Sequence, residues 1–353
     1  MRIVICWTHF SGYMAACWRA LGQRAGVELS VLAMSLDATW QAEFDPALLS
    51  GIDCRLLSSA ERADGELVRD LVLDKQPDVV VLPGWHYPAY RALAFDPALA
   101  SKRRVMTMDT AWDGSLRQQL ARVKIGRFLK HIDAVIVAGE RAWQFARRLG
   151  FGEGQIFRGL YGFDAKAYAA AAETRPGDDG WPRKFLFCGR YVADKGLDVL
   201  WDAYARYRGS HDEPWPLTCC GTGAQKGVLA GVPGLEDVGF KQPGELPGLF
   251  AEHGALIMPS RFEPWGVTVA EAMGAQLPVI VSEAVGANVE LVRHLYNGLI
   301  VPTNDAPALA RALATIHEMH GDLPEMGRRG SELAQPFAAE QWARHWHEVF
   351  LGM

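Results

Sequence analysis

Strand-like runs recur through the first half of the chain: Arg2 to Trp7, Glu28 to Met34, Asp78 to Leu82, Val105 to Met108 and Ala134 to Val137. Helical patterns separate them, a rhythm that predicts a parallel sheet with crossover helices. The periodicity lapses over 171–183, where ETRPGDDGWPR substitutes proline, glycine and charge for apolar repeats. Such a stretch predicts a linker. A second series follows: Phe185 to Cys188, Leu217 to Cys220, Glu236 to Gly239, Ala255 to Met258, Pro278 to Val281 and Gly298 to Val301. The pattern therefore predicts two α/β domains, 1–170 and 184–337. In the terminal segment 338–353, Trp342, Trp346, Val349 and Phe350 fall on one helical stripe, as expected of a helix docking by its aromatic face.

Composition agrees with two ordinary domains, since the 353 residues are 49% hydrophobic and 22% charged. No run reaches the length of a membrane span, and MRIVICWTHF lacks the features of a secretory signal, so a cytoplasmic protein is expected. The six cysteines show no CxxC spacing and read as reduced, largely buried thiols. The net charge of -5 conceals an asymmetry: residues 101–150 sum to +7 and the remainder to -12.

The candidate chemistry lies in the second half. In SRFEPWGVTVAE, Ser260 to Glu271, a loop acid, Glu263, precedes a helical acid, Glu271, by eight residues. Between them the start of a helix offers unpaired amides to an anion. Two carboxylates would repel a bare anion, but they suit a ligand with phosphate in the middle and hydroxyls at both ends. A nucleotide sugar has that form. After the first strand of the second domain, GRYVADKG places Gly189, Arg190, Lys195 and Gly196 in a turn where a guanidinium and an ammonium can converge on one anion. Both loops follow strand ends of an open α/β sheet, so they are expected in one crevice. Gly221 and Gly223 form a lone GxG, a weak phosphate signature that a tight turn explains equally well.

These segments, with CCGTG at Cys219 to Gly223, LPVIVSEAVGANVELV and NGLIVP at Asn297 to Pro302, resemble in order and spacing the family 4 retaining glycosyltransferases of the GT-B fold. The resemblance covers nearly the whole chain. It implies two Rossmann-like domains with parallel sheets facing across a cleft, and a C-terminal helix returning to the first domain. It implies that Arg190 and Lys195 bind the diphosphate of a nucleoside-diphosphate sugar, UDP-sugars being commonest. By the same resemblance Glu263 touches the transferred sugar, Glu271 accepts from the ribose hydroxyls, and the backbone at Trp265, Gly266, Val267 and Thr268 meets the phosphates. Gly12, in the loop after the first strand, would approach the diphosphate and acceptor. The implied reaction retains anomeric configuration and needs neither metal nor cofactor; the first domain has no DxD pair, and the leaving phosphate takes the acceptor's proton.

One departure concerns the first domain, where Asp109 in VMTMDTAWDG stands in a place that relatives often give to His. His9, His86, Trp85, Trp112 and Asp113 join Asp109 as candidate acceptor or sugar contacts, since sugar faces stack on indole rings and carboxylates accept from hydroxyls. A second departure is Gln276, where Gly is common. The basic stretch 117–132 interleaves Arg122, Lys124, Arg127 and Lys130 with Leu120, Val123, Ile125, Phe128, Leu129 and Ile132. It reads first as an amphipathic helix covering the sheet; a peripheral contact with an anionic membrane at its inner face is the second reading. Nucleic acid is not an expected partner of an acidic chain without such a motif. The expected function is transfer to a glycan, lipid-linked or small-molecule acceptor. The competing functions are a non-catalytic nucleotide-sugar-binding protein and a sugar-nucleotide epimerase of the same fold.

Overall fold

The computed structural model describes residues 1–34, 44–177, 180–229 and 231–353, which divide into two compact units. The first comprises 1–34, 45–162 and 339–353. Its sheet contains β1 (Arg2–His9), β2 (Glu28–Met34), β3 (Cys54–Leu57), β4 (Val79–Leu82), β5 (Arg103–Met108), β6 (Ala134–Val137) and β7 (Ile156–Arg158). All pairings are parallel in the order β3-β2-β1-β4-β5-β6-β7, with the reversal between β1 and β4 that marks a doubly wound sheet. The strands β4 and β6, each flanked on both sides, are buried at every position, which is why they read as continuous apolar runs.

Two strands escape the sequence pattern. β3 sits at the sheet edge as CRLL, with Leu57 its one buried residue, and β7 is the three-residue edge IFR. Neither is long or apolar enough to announce itself. β1 also runs two residues further than its apolar core, ending on His9 after a register shift.

The terminal helix, Ala339–Gly352, packs in the first unit against the helix Gly12–Gly22. Trp342, Trp346, Val349 and Phe350 are all buried on it. Its two indoles donate to the carbonyls of Leu160 and Gly159, each at 2.9 Å, so the aromatic stripe satisfies its polar atoms as it buries its rings.

The second unit contains 163–338. Its strands are β8 (Phe185–Cys188), β9 (Leu217–Cys220), β10 (Leu235–Gly239), β11 (Ala255–Met258), β12 (Val279–Ser282) and β13 (Gly298–Val301). They form a parallel sheet in the order β10-β9-β8-β11-β12-β13, again reversing at the centre.

The boundary differs from the expected 170/184. The chain passes from one unit to the other at Gly162 and Phe163, and the stretch expected to link the domains lies on the second. Arg175 explains this, because it donates to the carbonyls of Phe250, Ala251, Ala275 and Gln276 and stacks over Trp181 at 4.4 Å. The preceding helix, Ala165–Ala172, is held to the same unit by Tyr168, whose ring meets Phe250 edge-on at 5.5 Å. A proline- and glycine-rich composition thus marks a docked strap.

Candidate functional site

The loop after β8 is shaped by close backbone approaches. Gly189 N–H donates to Cys220 O, and Tyr191 exchanges bonds with Thr222 and Gln225 of the next loop. A Cβ on Gly221 would lie 1.9 Å from Gly189 O, and one on Gly223 would lie 2.4 Å from Tyr191 O. The GxG turn is therefore a clamp on the Gly189–Tyr191 backbone. Tyr191 is buried, and its hydroxyl donates to Asp237 at 2.8 Å. Arg190 remains exposed and makes no ion pair among the described residues, whereas the turn Ala193–Lys195 carries Lys195 inward. Gly196, with φ of 68°, then opens the helix Leu197–Gly209 and passes so near Pro259 that any side chain would meet its carbonyl.

The loop after β11 is held from its other side. Gly286 and Ala287 N–H groups donate to Glu263 O and Trp265 O at 3.0 and 2.7 Å, forming a short parallel bridge. Trp265 buries its indole against Phe337, and Gly266, with φ of 97°, begins the helix Val267–Gly274. The Lys195 ammonium pairs with the Glu263 carboxylate, both side chains being 13% exposed. The sequence placed these residues in two separate loops; the structure makes them a largely desolvated pair, because both loops are drawn together by backbone bonds.

Glu271 lies one turn into the following helix and is buried. Burial pushes its carboxyl up to about 7, and a hydrogen bond donated by the Tyr168 hydroxyl partly offsets that. Tyr168 left no signal in AKAYAAAA, since only tertiary packing brings it to Glu271. Cys188, paired with Cys220 across β8 and β9, is pushed up by its hydrogen bond with that thiol, by burial and, last, by the charge of Glu271. All six cysteines are free thiols, four of them buried.

In the first unit the candidates cluster at the carboxyl ends of β1, β4 and β5. His9 is the last residue of β1 rather than part of the loop, and Gly12 opens the helix Gly12–Gly22, behind the N-cap Ser11. Asp109 follows β5 and accepts a 2.9 Å hydrogen bond from Tyr161, a residue beyond β7 that no motif marked. Tyr13 meets Tyr161 edge-on at 5.8 Å. His86 is exposed; burial of part of its ring and nearby Arg117 hold its pKa below the ordinary value, while Asp109 pulls the other way. Trp85 and Trp112 both pack on Phe145, and Arg148 stacks over Trp112 at 4.6 Å. Asp113 accepts from Ser115 N–H at 2.7 Å and so caps a local turn.

The basic stretch keeps its first reading over Ile125, Phe128, Leu129 and Ile132, which pack on the core of the first unit, and departs from it nearer its start. Phe128 and Ile132 are buried, but Leu116, Leu120 and Val123 are 75%, 51% and 82% exposed among exposed Arg117, Arg122, Lys124 and Arg127. It divides into the short helices Leu116–Gln119 and Ala121–Leu129, and the turn between them directs the first apolar positions outward. No helix among the described residues is long and apolar enough to cross a membrane.

The ion pair and acid in the second unit lie within the segment that known proteins share. Residues 182–319 match the family model for group 1 glycosyltransferases. The matched segment contains Arg190, Lys195, Glu263 and Glu271. Over 227 residues the chain is 27% identical to an exopolysaccharide phosphotransferase of Streptomyces coelicolor, covering 62% of this chain and 23% of that protein. It is 28% identical over 188 residues to the alpha-D-kanosaminyltransferase of Streptomyces kanamyceticus, covering 51% and 47%. The matches thus span under half of these relatives' lengths. Anabaena HepE, solved in complex with UDP, superposes with a TM-score of 0.78 at 17% identity over 100% of both chains. Sucrose-phosphate synthase from Thermosynechococcus elongatus gives 0.74 at 19% identity, covering 100% of this chain and 98% of that one. The two parallel-sheet α/β units have the GT-B fold.

Proposed function

We propose that this chain is a retaining glycosyltransferase that moves a sugar from a nucleoside-diphosphate sugar, a UDP-sugar by preference, to an acceptor hydroxyl in glycan, glycolipid or glycoconjugate synthesis. The observation that carries the reading is the convergence of Lys195 and Glu263 from separate strand-end loops, with buried Glu271 in the helix that follows. The family match over 182–319 and the transferase names of the curated relatives support it. HepE's complex with UDP supports the choice of base.

In this reading Lys195 and Arg190 bind the donor diphosphate and offset the charge that grows on the leaving oxygen as the bond to the anomeric carbon stretches. Stabilisation of that kind is worth about 3 kcal/mol per donor group. The amides at the start of the Val267–Gly274 helix face the same phosphates. Glu263 accepts from hydroxyls of the transferred sugar, and Glu271 accepts from the ribose. The acceptor oxygen bonds to the anomeric carbon on the face the phosphate leaves, and its proton passes to the departing phosphate. A protein base is not required, nor is a metal, since two cations already face the diphosphate. Asp109, steadied by Tyr161, and the partly exposed Trp85, His86 and Trp112 are the acceptor-side residues.

The exposed Leu116, Leu120 and Val123 amid cations favour a second element, in which this surface rests on an anionic membrane presenting a lipid-linked acceptor.

The test is a panel of nucleotide sugars with release of nucleoside diphosphate as readout, with and without EDTA. Turnover with at least one donor, insensitive to EDTA, and a product of the donor's anomeric configuration are expected. Tight binding without turnover across the panel would favour a sensor, and a C2-epimerised nucleotide sugar would favour an epimerase.

A further inference from the structure

Arg261 precedes Glu263 by two residues, and no motif marks it out. In the structure four of its five side-chain N–H groups are engaged. Nη1 and Nη2 grip the Asp198 carboxylate in a bidentate pair at 2.7 and 2.5 Å, and Nη1 also donates to Ala193 O at 3.0 Å. Nε donates to Asn304 Oδ1 at 2.5 Å. The backbone continues the pattern: the N–H groups of Arg261 and Phe262 both donate to Asp194 O, at 2.7 and 3.2 Å. Ala193 and Asp194 lie in the Lys195 turn, Asp198 is in the first turn of the helix beyond it, and Asn304 follows β13. One guanidinium therefore ties together the loops after β8, β11 and β13.

We infer that Arg261 is a positioning residue that sets the distance between Lys195 and Glu263, and thereby between the phosphate and sugar ends of the donor. The inference rests on the reading of those two residues given above. A planar five-donor fork can bridge three loops at fixed angles, which a lysine cannot do. Asp198 holds a charge-neutralising position, and the Arg261 guanidinium is accordingly held above its ordinary pKa by that carboxylate. The fork is thus committed to protein partners and does not serve as a third phosphate cation. The Arg261 and Asp198 side chains are 30% and 51% exposed, so the pair adds little to global stability. Its effect is local, on the placement of two reacting subsites.

The test compares the full-length parent with Arg261→Ala, Arg261→Lys and Asp198→Asn. A misplacement of about 1 Å costs ~100-fold in turnover. Arg261→Ala is expected to lower kcat by that order while the Kd for free UDP changes less than threefold and the melting temperature stays within a few degrees. Arg261→Lys is expected to recover only a minor part, and Asp198→Asn to fall between it and the parent. A kcat within threefold of the parent in Arg261→Ala would overturn the inference. So would an equal loss in UDP affinity, which would make Arg261 a phosphate ligand. Hydrogen exchange provides a readout free of turnover: Arg261→Ala should speed exchange at 194–198 and 260–263 and leave β12 unchanged, and unaltered exchange at those loops would also overturn it. Failure of the functional reading is separate, since it appears as absence of turnover in the parent.

Discussion

Tyr168 donates its hydroxyl to Glu271, and the two are buried together between the helices that carry them. The pair comes from residues 103 positions apart, on the strap-side helix Ala165–Ala172 and the helix Val267–Gly274. Burial pushes the Glu271 carboxyl up to about 7, against the hydrogen bond from Tyr168, which lowers it.

Donor affinity should therefore depend on pH. Glu271 accepts ribose hydroxyls best as a carboxylate, and with its carboxyl at about 7 it gains a proton as pH falls below neutrality. The Kd for UDP, measured calorimetrically from pH 8 to 5.5, is expected to rise up to about tenfold per unit below 7, the limit for binding linked to one proton. Glu271→Gln should bind more weakly at pH 8 and lose this dependence on its own account, leaving the ligand's phosphate titration.

Stability should move in the opposite sense with pH. The Glu271 pKa is raised from 4.5 to about 7 on folding, so between these values the folded chain keeps a proton that the unfolded chain releases. Stability contributed by the protonated group is present below 4.5 and lost as pH rises through 7, a cost of roughly 3 kcal/mol. Denaturant unfolding at pH 5 and pH 8 should show Glu271→Gln gaining on the parent as pH rises.

Truncating either member of the Lys195–Glu263 pair should abolish most transfer, by about 100-fold or more. Because each side chain is mostly buried, the orphaned partner also costs about 1–3 kcal/mol of stability, between the surface and interior limits. The double variant Lys195→Met with Glu263→Gln should be more stable than either alanine variant and equally inactive. Nucleotide-sugar turnover and denaturant unfolding measured on the same samples check both statements.

Gln276 adopts φ of 54°, a left-handed conformation that costs a non-glycine residue about 1–2 kcal/mol. Its carbonyl contacts Arg175, and the close approach of Gly327 leaves no room to relax. Gln276→Gly should relieve the strain at the expense of about 0.4–1 kcal/mol of unfolded-state entropy. A net gain of roughly 0.5–1 kcal/mol in denaturant unfolding, with unchanged turnover, is the expected outcome.

The exposed apolar and basic surface around Val123 should bind vesicles containing anionic lipid and ignore neutral ones. Val123→Asp, at an 82% exposed position, should weaken cosedimentation about tenfold without changing the melting temperature. Equal sedimentation of the variant would remove this surface from membrane contact.

The sequence by itself determined the alternation of strands and helices, two parallel-sheet units, the aromatic terminal helix, and the positions of Glu263 and Glu271 in loop and helix. These were legible because buried parallel strands leave continuous apolar runs and because glycines mark where backbone must approach backbone. Edge strands β3 and β7 were not, since an edge buries too few residues to leave a run. Only the tertiary structure decided that the described residues of the proline-rich stretch, 171–177 and 180–183, belong to the second unit, since Arg175 recognises carbonyls about 75 and 100 residues away. It alone also brought Tyr168 to Glu271, Tyr161 to Asp109 and Arg261 to Asp198. Each joins residues distant in sequence through polar atoms, and such bonds leave no periodicity for a linear pattern to carry.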